Sequence, residues 1–245
     1  MKKILSFVLL SVMALSSLSA QSQWTFTTRC WTTNYWTTLI YDAARSTTIF
    51  LVAGDNEDDD NLLSILIPSA DLVFPIGMEK SGFADPNDIR TPYYYAFGTP
   101  IKHMGDFAIG VDASWSPSLI GLYAGAYFKS QEIVFKPNDD HLRGLYFQPR
   151  AGILLGREHA TIEAGVFYDK TVGCLSTIEG AGKDWLTDGL GLDFAISYSL
   201  SDHYQTILQF SMPLHNFLNE NITDPHIYGC HRRVGYIMLT QRMAF

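Results

Sequence analysis

Polar side chains recur at alternate positions of segments that are otherwise apolar, and these side chains are the best placed to do chemistry. Every second side chain of an extended segment shares one face, so such groups point into one common space. An isolated ionised group in a low dielectric is very costly. We therefore expect Arg150 and Arg242 to neutralise Asp112, Glu163 and Asp193. The full set is Asp112, Tyr127, Gln148, Arg150, Glu163, Asp193, Gln205, Gln209 and Arg242.

A second group of residues is of the types used in hydrolysis. Ser211, His215 and Asp224 lie within one stretch, SMPLHNFLNENITDPH. A hydrolase needs a nucleophile or an activated water beside an oriented His. Spacing along a strand and the loop after it does not place three side chains together. The sequence therefore predicts no catalytic residues, and an enzyme remains an alternative.

Metal-binding chemistry is not favoured. The acidic run DNEDDDN at residues 55–61 offers oxygen ligands of the kind that suit Ca²⁺. It lacks the glycine at position 6 and the glutamate at position 12 of the helix–loop–helix calcium motif. Cys230-His231 has no second Cys nearby to complete a transition-metal site. We predict no metal and no cofactor.

Segments with a period of two residues must position the polar groups. On residues 119–129, Ile120, Leu122 and Phe128 share one face and Tyr123 and Tyr127 the other. Such alternation predicts β-strands, and each segment has roughly the 9–11 residues that a tilted membrane-spanning strand requires. The segments are 106–115, 119–129, 142–155, 159–169, 188–200, 203–212 and 233–245.

The connections between these segments alternate in length. Short turns are predicted at Ser116-Pro117, Arg157-Glu158 and Ser201-Asp202, and long loops at Ser130–His141, Lys170–Thr187 and Pro213–Arg232. Short turns on one side and long loops on the other are typical of outer-membrane barrels. We predict an all-β fold, an antiparallel up-and-down transmembrane β-barrel of 8 to 10 strands, with an even count.

The first third of the chain alternates less clearly. We expect strands at 36–42, 47–54 and 62–74, followed by a loop at Pro75–Pro92. The strand count matters for the lumen. Eight strands leave an interior just wide enough for side chains to fill, which favours a plugging salt-bridge network, whereas ten or more favour a water-filled pore.

The N-terminus predicts export. Lys2 and Lys3 precede the apolar run Ile4–Leu15 and small residues up to Ala20. This is the pattern of a secretory signal peptide, and the run is too short to span a bilayer. We predict a signal peptide at residues 1–20 and a single barrel domain at residues 21–245.

The amino-acid composition limits the classes of partner that the protein is expected to bind. The formal net charge of −8 disfavours nucleic acid, because phosphate binding needs clustered Lys and Arg. The 15 Phe, 13 Tyr and 5 Trp suit aromatic girdles at two membrane interfaces.

The leader, the alternating segments and the terminal Phe245 resemble the small outer-membrane β-barrel proteins of Gram-negative bacteria, often labelled porin-like. The resemblance implies an outer-membrane location, and as partners the barrel assembly machinery, outer-membrane lipid and lipopolysaccharide. Phe245 resembles the C-terminal signal that this machinery recognises. The resemblance is architectural, and a fold does not settle a function.

Three functions remain open at this point. The first is a structural or passive solute-diffusion role. The second is a lipid A-modifying or proteolytic barrel enzyme, which is less favoured. The third is a surface-binding protein that acts through its extracellular loops.

The three cysteines permit one disulfide. Cys174 and Cys230 fall in two long loops that would be neighbours in a simple meander, and an oxidising compartment permits a bridge. We therefore expect a disulfide between Cys174 and Cys230, with Cys30 before the first strand and unpaired.

Overall fold

The computed structural model describes residues 23–33, 36–41, 43–44, 69–81, 94–95, 106–117, 119–135, 140–157, 159–201, 204–219, 221–222 and 230–243. Residues 36–41 and 43–44 are helical, and Lys183–Trp185 form a 3-10 helix. No helix in the described residues is long and apolar enough to cross a bilayer. The strands in these residues are β1 (Gln23–Thr32), β2 (Ser69–Ser81), β3 (Tyr94–Tyr95), β4 (Phe107–Ser116), β5 (Ile120–Phe135), β6 (Asp140–Arg157), β7 (Ala160–Ser176), β8 (Gly189–Ser201), β9 (Tyr204–Pro213) and β10 (Cys230–Met243).

Nine of these strands close into a barrel. Strands β4 to β10 pair antiparallel in chain order, β1 pairs with β4, and β2 pairs with β10. A short parallel contact of β1 with β2, from Arg29 beside Ser69 to Thr32 beside Leu72, completes the circle. The predicted transmembrane β-barrel is confirmed. The expectation of an even strand count is wrong, because a parallel seam allows an odd number of strands to close.

The first third of the chain departs from the prediction. Strand β1 was not predicted, because its sequence QWTFTTRCWT is rich in Thr and alternates weakly. It contains Cys30, which we expected before the first strand. Residues 36–41 are helical rather than extended. Strand β2 continues through Pro75 to Ser81, within the predicted loop, because β10 supplies a backbone partner along its length.

The barrel surface has the apolar side chains outside. On β5, Leu122 is 50% exposed and Phe128 59%, whereas Tyr123 and Tyr127 are buried, as the alternation predicted. Exposing so much apolar area to water would cost about 25 cal/mol per Å². This outer face therefore suits lipid. The same exposed face includes Phe107, Ile109, Val111, Ile153, Ile162, Val166, Leu190, Leu192, Phe194, Ile196, Leu208 and Phe210.

Strands β5, β6 and β7 have 16, 18 and 17 residues and extend past their neighbours at one end of the barrel. We call this the long-loop end, and the opposite end the short-turn end. The predicted loop Ser130–His141 is mostly strand. Glu132 and Arg143 face each other across β5 and β6, and their side chains form an ion pair of 3.1 Å. Such an opposite-charge pair stabilises adjoining strands.

Two segments cover the long-loop end, and together we call them the lid: residues 177–188 and residues 214–222 without 220. Leu186 and Leu218 form an antiparallel bridge between the segments. The side chains of Leu186, Phe217 and Leu218 pack on Leu142 and Tyr146 of β6 in one buried cluster. The lid therefore has its own apolar core.

Candidate functional site

The barrel interior holds a cluster of charged groups centred on Arg150 of β6. Its Nε lies 3.4 Å from Oδ2 of Asp193 on β8 and 3.6 Å from Oδ1 of Asp112 on β4. A terminal nitrogen lies 3.8 Å from Oε2 of Glu163 on β7. One guanidinium thus faces three carboxylates from three strands. We call these four residues the Arg150 cluster.

Aromatic rings enclose the Arg150 guanidinium. The ring centres of Tyr123 and Tyr127 lie 4.9 Å and 5.7 Å from its Cζ, within the range of cation–π attraction. The Tyr127 hydroxyl donates to Oδ2 of Asp112. A Cβ at Gly125 would press on Oδ1 of Asp112 and lie 2.7 Å from the backbone oxygen of Val111, so a larger residue here would force its neighbours to shift. The interior at this level is therefore tightly packed.

A second cluster, centred on Arg29, spans the parallel seam. The Arg29 Nε and a terminal nitrogen donate to Oδ2 of Asp71 on β2, at 3.0 Å and 2.5 Å. The same terminal nitrogen also donates to Oγ1 of Thr240 on β10 at 3.0 Å, and the other terminal nitrogen donates to Oε1 of Gln209 on β9 at 2.7 Å. The Thr240 hydroxyl donates to Asp71. We call these residues the Arg29 cluster.

The Arg29 cluster connects directly with the Arg150 cluster. Gln209 donates from Nε2 to Oδ1 of Asp193 at 3.3 Å. Sequence reasoning missed Arg29, Asp71 and Thr240. The one available signal was a single Arg within a Thr-rich run, with an aromatic residue two positions later.

A third cluster lies beneath the lid. Lys129 of β5 contacts Oδ2 of Asp169 on β7 at 2.6 Å, and Gln148 donates to Oδ1 of Asp169 at 2.8 Å. His215 of the lid lies 3.3 Å from the same carboxylate through Nε2. The ring centre of Tyr146 lies 5.1 Å from the ammonium of Lys129. Gln148 was predicted to lie on the polar face, whereas the other residues of this cluster were not identified as site residues.

Little space remains between the three clusters. A cavity of about 20 Å³ is bounded by side chains that include Arg29, Tyr127, Lys129 and Arg150. A volume of roughly 10–15 Å³ admits one water molecule. The side chains of the three clusters therefore fill most of the space around this cavity.

The remaining predicted site residues are dispersed. Gln205 donates to the Ser197 hydroxyl at 3.3 Å, apart from the three clusters. Arg242 lies opposite Gln205 in the register of β9 and β10, but its side chain is outside the described residues. Phe245 and the predicted signal peptide also lie outside them.

The predicted disulfide is contradicted. Cys174 lies on β7 and is a free cysteine. It packs against the buried apolar cluster that the lid forms with Leu142 and Tyr146. Cys230 begins β10, which is separated from β7 by β8 and β9. The strand pairing thus extends into both predicted loops and places the two cysteines on strands that are not neighbours.

The residues considered for hydrolysis in the sequence have different contacts in the structure. His215 contacts Asp169 and the backbone carbonyl of Asn216, the latter at 3.0 Å from Nδ1. Asp224 is outside the described residues. Among the residues that the structure covers, there is no group of three or more His, Cys, Asp or Glu arranged to hold a metal ion.

Comparisons with known proteins give architecture alone. No protein-family model matches the sequence, and no curated protein matches it. The fold is similar to the attachment invasion locus protein Ail of Yersinia pestis, with a TM-score of 0.37 and 9% identity over 71% of this chain and 94% of that one. It is also similar to Neisserial surface protein A, with a TM-score of 0.38 and 10% identity over 71% of this chain and 94% of that one. The barrel architecture itself rests on the strand pairing of this chain and on its apolar outer face.

Proposed function

We propose that the protein is a non-conducting barrel of the bacterial outer membrane that binds its partners through the surface at the long-loop end. The observation that carries this proposal is the packing of the lumen by the Arg29 and Arg150 clusters, where the cavity between them measures only about 20 Å³. A passive-diffusion role, also predicted from the sequence, requires a continuous aqueous path. The packed interior therefore supports the binding role.

The lid supports the same proposal. An ordered cap with its own apolar core is not needed to hold a barrel in lipid. It does give a fixed shape to the surface above the membrane, and preformed surfaces bind with a smaller loss of conformational entropy. The barrel serves in this account as a rigid platform for that surface.

The apolar outer face supports the membrane location. Exposed Leu122, Phe194 and Leu208 face lipid, while the ionised groups lie inside. In this proposal, residues 1–20 direct export and the assembly machinery recognises Phe245. The surrounding partners are outer-membrane lipid and lipopolysaccharide, with the long-loop end outside the cell.

Cysteine labelling on intact cells tests the location and the orientation. In a variant with Cys30, Cys174 and Cys230 replaced by Ser, we expect a thiol at Glu179→Cys in the lid to react with a membrane-impermeant maleimide. The matched control is His159→Cys at the short-turn end, which is also exposed. It should react only after the outer membrane is permeabilised. Equal labelling of both sites on intact cells, or labelling of His159→Cys alone, contradicts the proposal.

A further inference from the structure

An open cleft of about 410 Å³ lies at the long-loop end between β7 and the lid. Binding sites for small molecules commonly measure about 300–1,000 Å³. The cleft is separate from the three clusters of the lumen. It is bounded by polar side chains from β7 and from both lid segments.

Hydrogen bonds between the lid segments fix the walls of the cleft. The Thr187 amide donates to the Phe217 carbonyl at 3.1 Å, and the Asn219 amide donates to the Trp185 carbonyl at 2.8 Å. The Asn219 side chain donates to the backbone carbonyl of Asp184 at 3.0 Å. The apolar core of the lid lies behind these contacts. The cleft is therefore formed before any ligand arrives.

Asp188 joins the first lid segment to β7 on the other side of the cleft. Its Oδ1 accepts from the Thr171 amide at 2.7 Å, and its other oxygen accepts from the Lys170 ammonium. Burial opposes ionisation, but these hydrogen bonds hold the pKa of Asp188 below its ordinary value. Asp188 thus remains a carboxylate acceptor. The Thr171 hydroxyl is buried in the same wall.

Among the described residues that line the cleft, the charges are balanced. Lys170 and Lys183 carry two positive charges, and Asp184 and Asp188 carry two negative charges. A phosphate or sulfate would meet two carboxylates, and a cation would meet two ammonium groups, so neither sign of ion is favoured. The lining instead alternates strong donors with strong acceptors, which is the arrangement that paired hydroxyl groups satisfy.

We propose that this cleft binds a neutral, hydroxyl-rich ligand, a mono- or disaccharide unit of a glycan. The exposed side chains of Lys183 and Asp184 supply a donor and an acceptor at its rim, and Thr187 and Asp188 supply further groups. This inference rests on the proposed function, because the cleft reaches external glycans only if the long-loop end faces outward.

The test is a titration of the full-length mature protein in detergent micelles, followed by saturation-transfer NMR and calorimetry. The probes are a panel of neutral mono- and disaccharides, the dephosphorylated core oligosaccharide of the producing cell's lipopolysaccharide, and inorganic phosphate. We expect saturable binding of at least one neutral sugar and none of phosphate. Preference for the core oligosaccharide would identify the cell's own envelope as the source, and preference for another sugar would identify an external glycan.

Two variants of the lid give the matched comparison. Asp184→Ala should weaken sugar binding by about tenfold or more, because it removes a charged hydrogen-bond acceptor. Glu179→Ala removes an exposed carboxylate from the same lid segment but outside the cleft, and should leave the affinity unchanged. Lys183→Ala provides a second test from the donor side.

The inference is overturned if no neutral sugar binds, if phosphate alone binds, or if Asp184→Ala and Lys183→Ala both bind as tightly as the parent. Heat-modified migration of each variant on a denaturing gel confirms that its barrel is folded. A failure here would leave the labelling pattern of the proposed function intact, so the two failures are distinguishable.

Discussion

Replacement of Arg29 by Met should lower the free energy of unfolding by about 3–5 kcal/mol, because it leaves a fully buried carboxylate without its cation. Asp71 is 0% exposed and receives two hydrogen bonds from Arg29. The pair also crosses the weakest join of the barrel, where β1 and β2 share only four residue pairs in parallel. Loss of this contact therefore affects closure as well as local packing.

The measurement is equilibrium unfolding by denaturant in detergent micelles. The double variant Arg29→Met/Asp71→Asn should recover most of the lost stability, because it removes the uncompensated charge. Arg143→Met is the matched control, since Arg143 pairs with Glu132 at 3.1 Å and is itself partly exposed. A surface pair of this kind is worth about 0–1 kcal/mol. Equal effects of Arg29→Met and Arg143→Met would refute the assigned role of the seam.

The second large effect is expected at Arg150. Its replacement by Met should also cost about 3–5 kcal/mol, because Asp112, Glu163 and Asp193 would then face one another without a cation. Each of these carboxylates lies within 3.4–3.8 Å of the guanidinium. The loss of attraction is compounded by repulsion among like charges in a poorly solvated space.

An asymmetry between the partners tests this interpretation. Asp193→Asn should be much milder than Arg150→Met, because Arg150 keeps two other carboxylates. The double variant Arg150→Met/Asp193→Asn should be more stable than Arg150→Met alone. If Asp193→Asn destabilises the protein as much as Arg150→Met does, the stability of the Arg150 cluster does not depend mainly on its single guanidinium.

Much of the barrel could be predicted because lipid imposes a strict period of two residues. The register of β5 followed from Ile120, Leu122 and Phe128 alone, since a shift of one residue would put Tyr127 into lipid. The partners of Arg150 followed from the same alternation, because carboxylates on inward faces require a cation in a closed interior.

The remaining features depend on contacts between distant parts of the chain. Strand β1 carries Thr on both faces, so its sequence gives no clear alternation, and Arg29 is recognisable as a lumen residue only once Asp71 lies beside it. The extension of β7 to Ser176 depends on pairing with β6, although the local sequence predicted a loop there. Because of this pairing, Cys174 lies in a strand and not in the predicted loop. The lid core joins segments about thirty residues apart, as in the bridge of Leu186 with Leu218. No local pattern specifies such a bridge.

A non-conducting barrel requires a closed lumen, which single-channel recording of the purified protein in planar bilayers can detect. Insertion is verified by recovery of the barrel from the same membranes, and a general porin in parallel bilayers shows that conductance is detectable. We predict no discrete current steps from the native protein, because the Arg29 and Arg150 clusters fill the interior between the strands. Steady, ohmic steps in proportion to the inserted protein would contradict the account and restore the diffusion pore as its function.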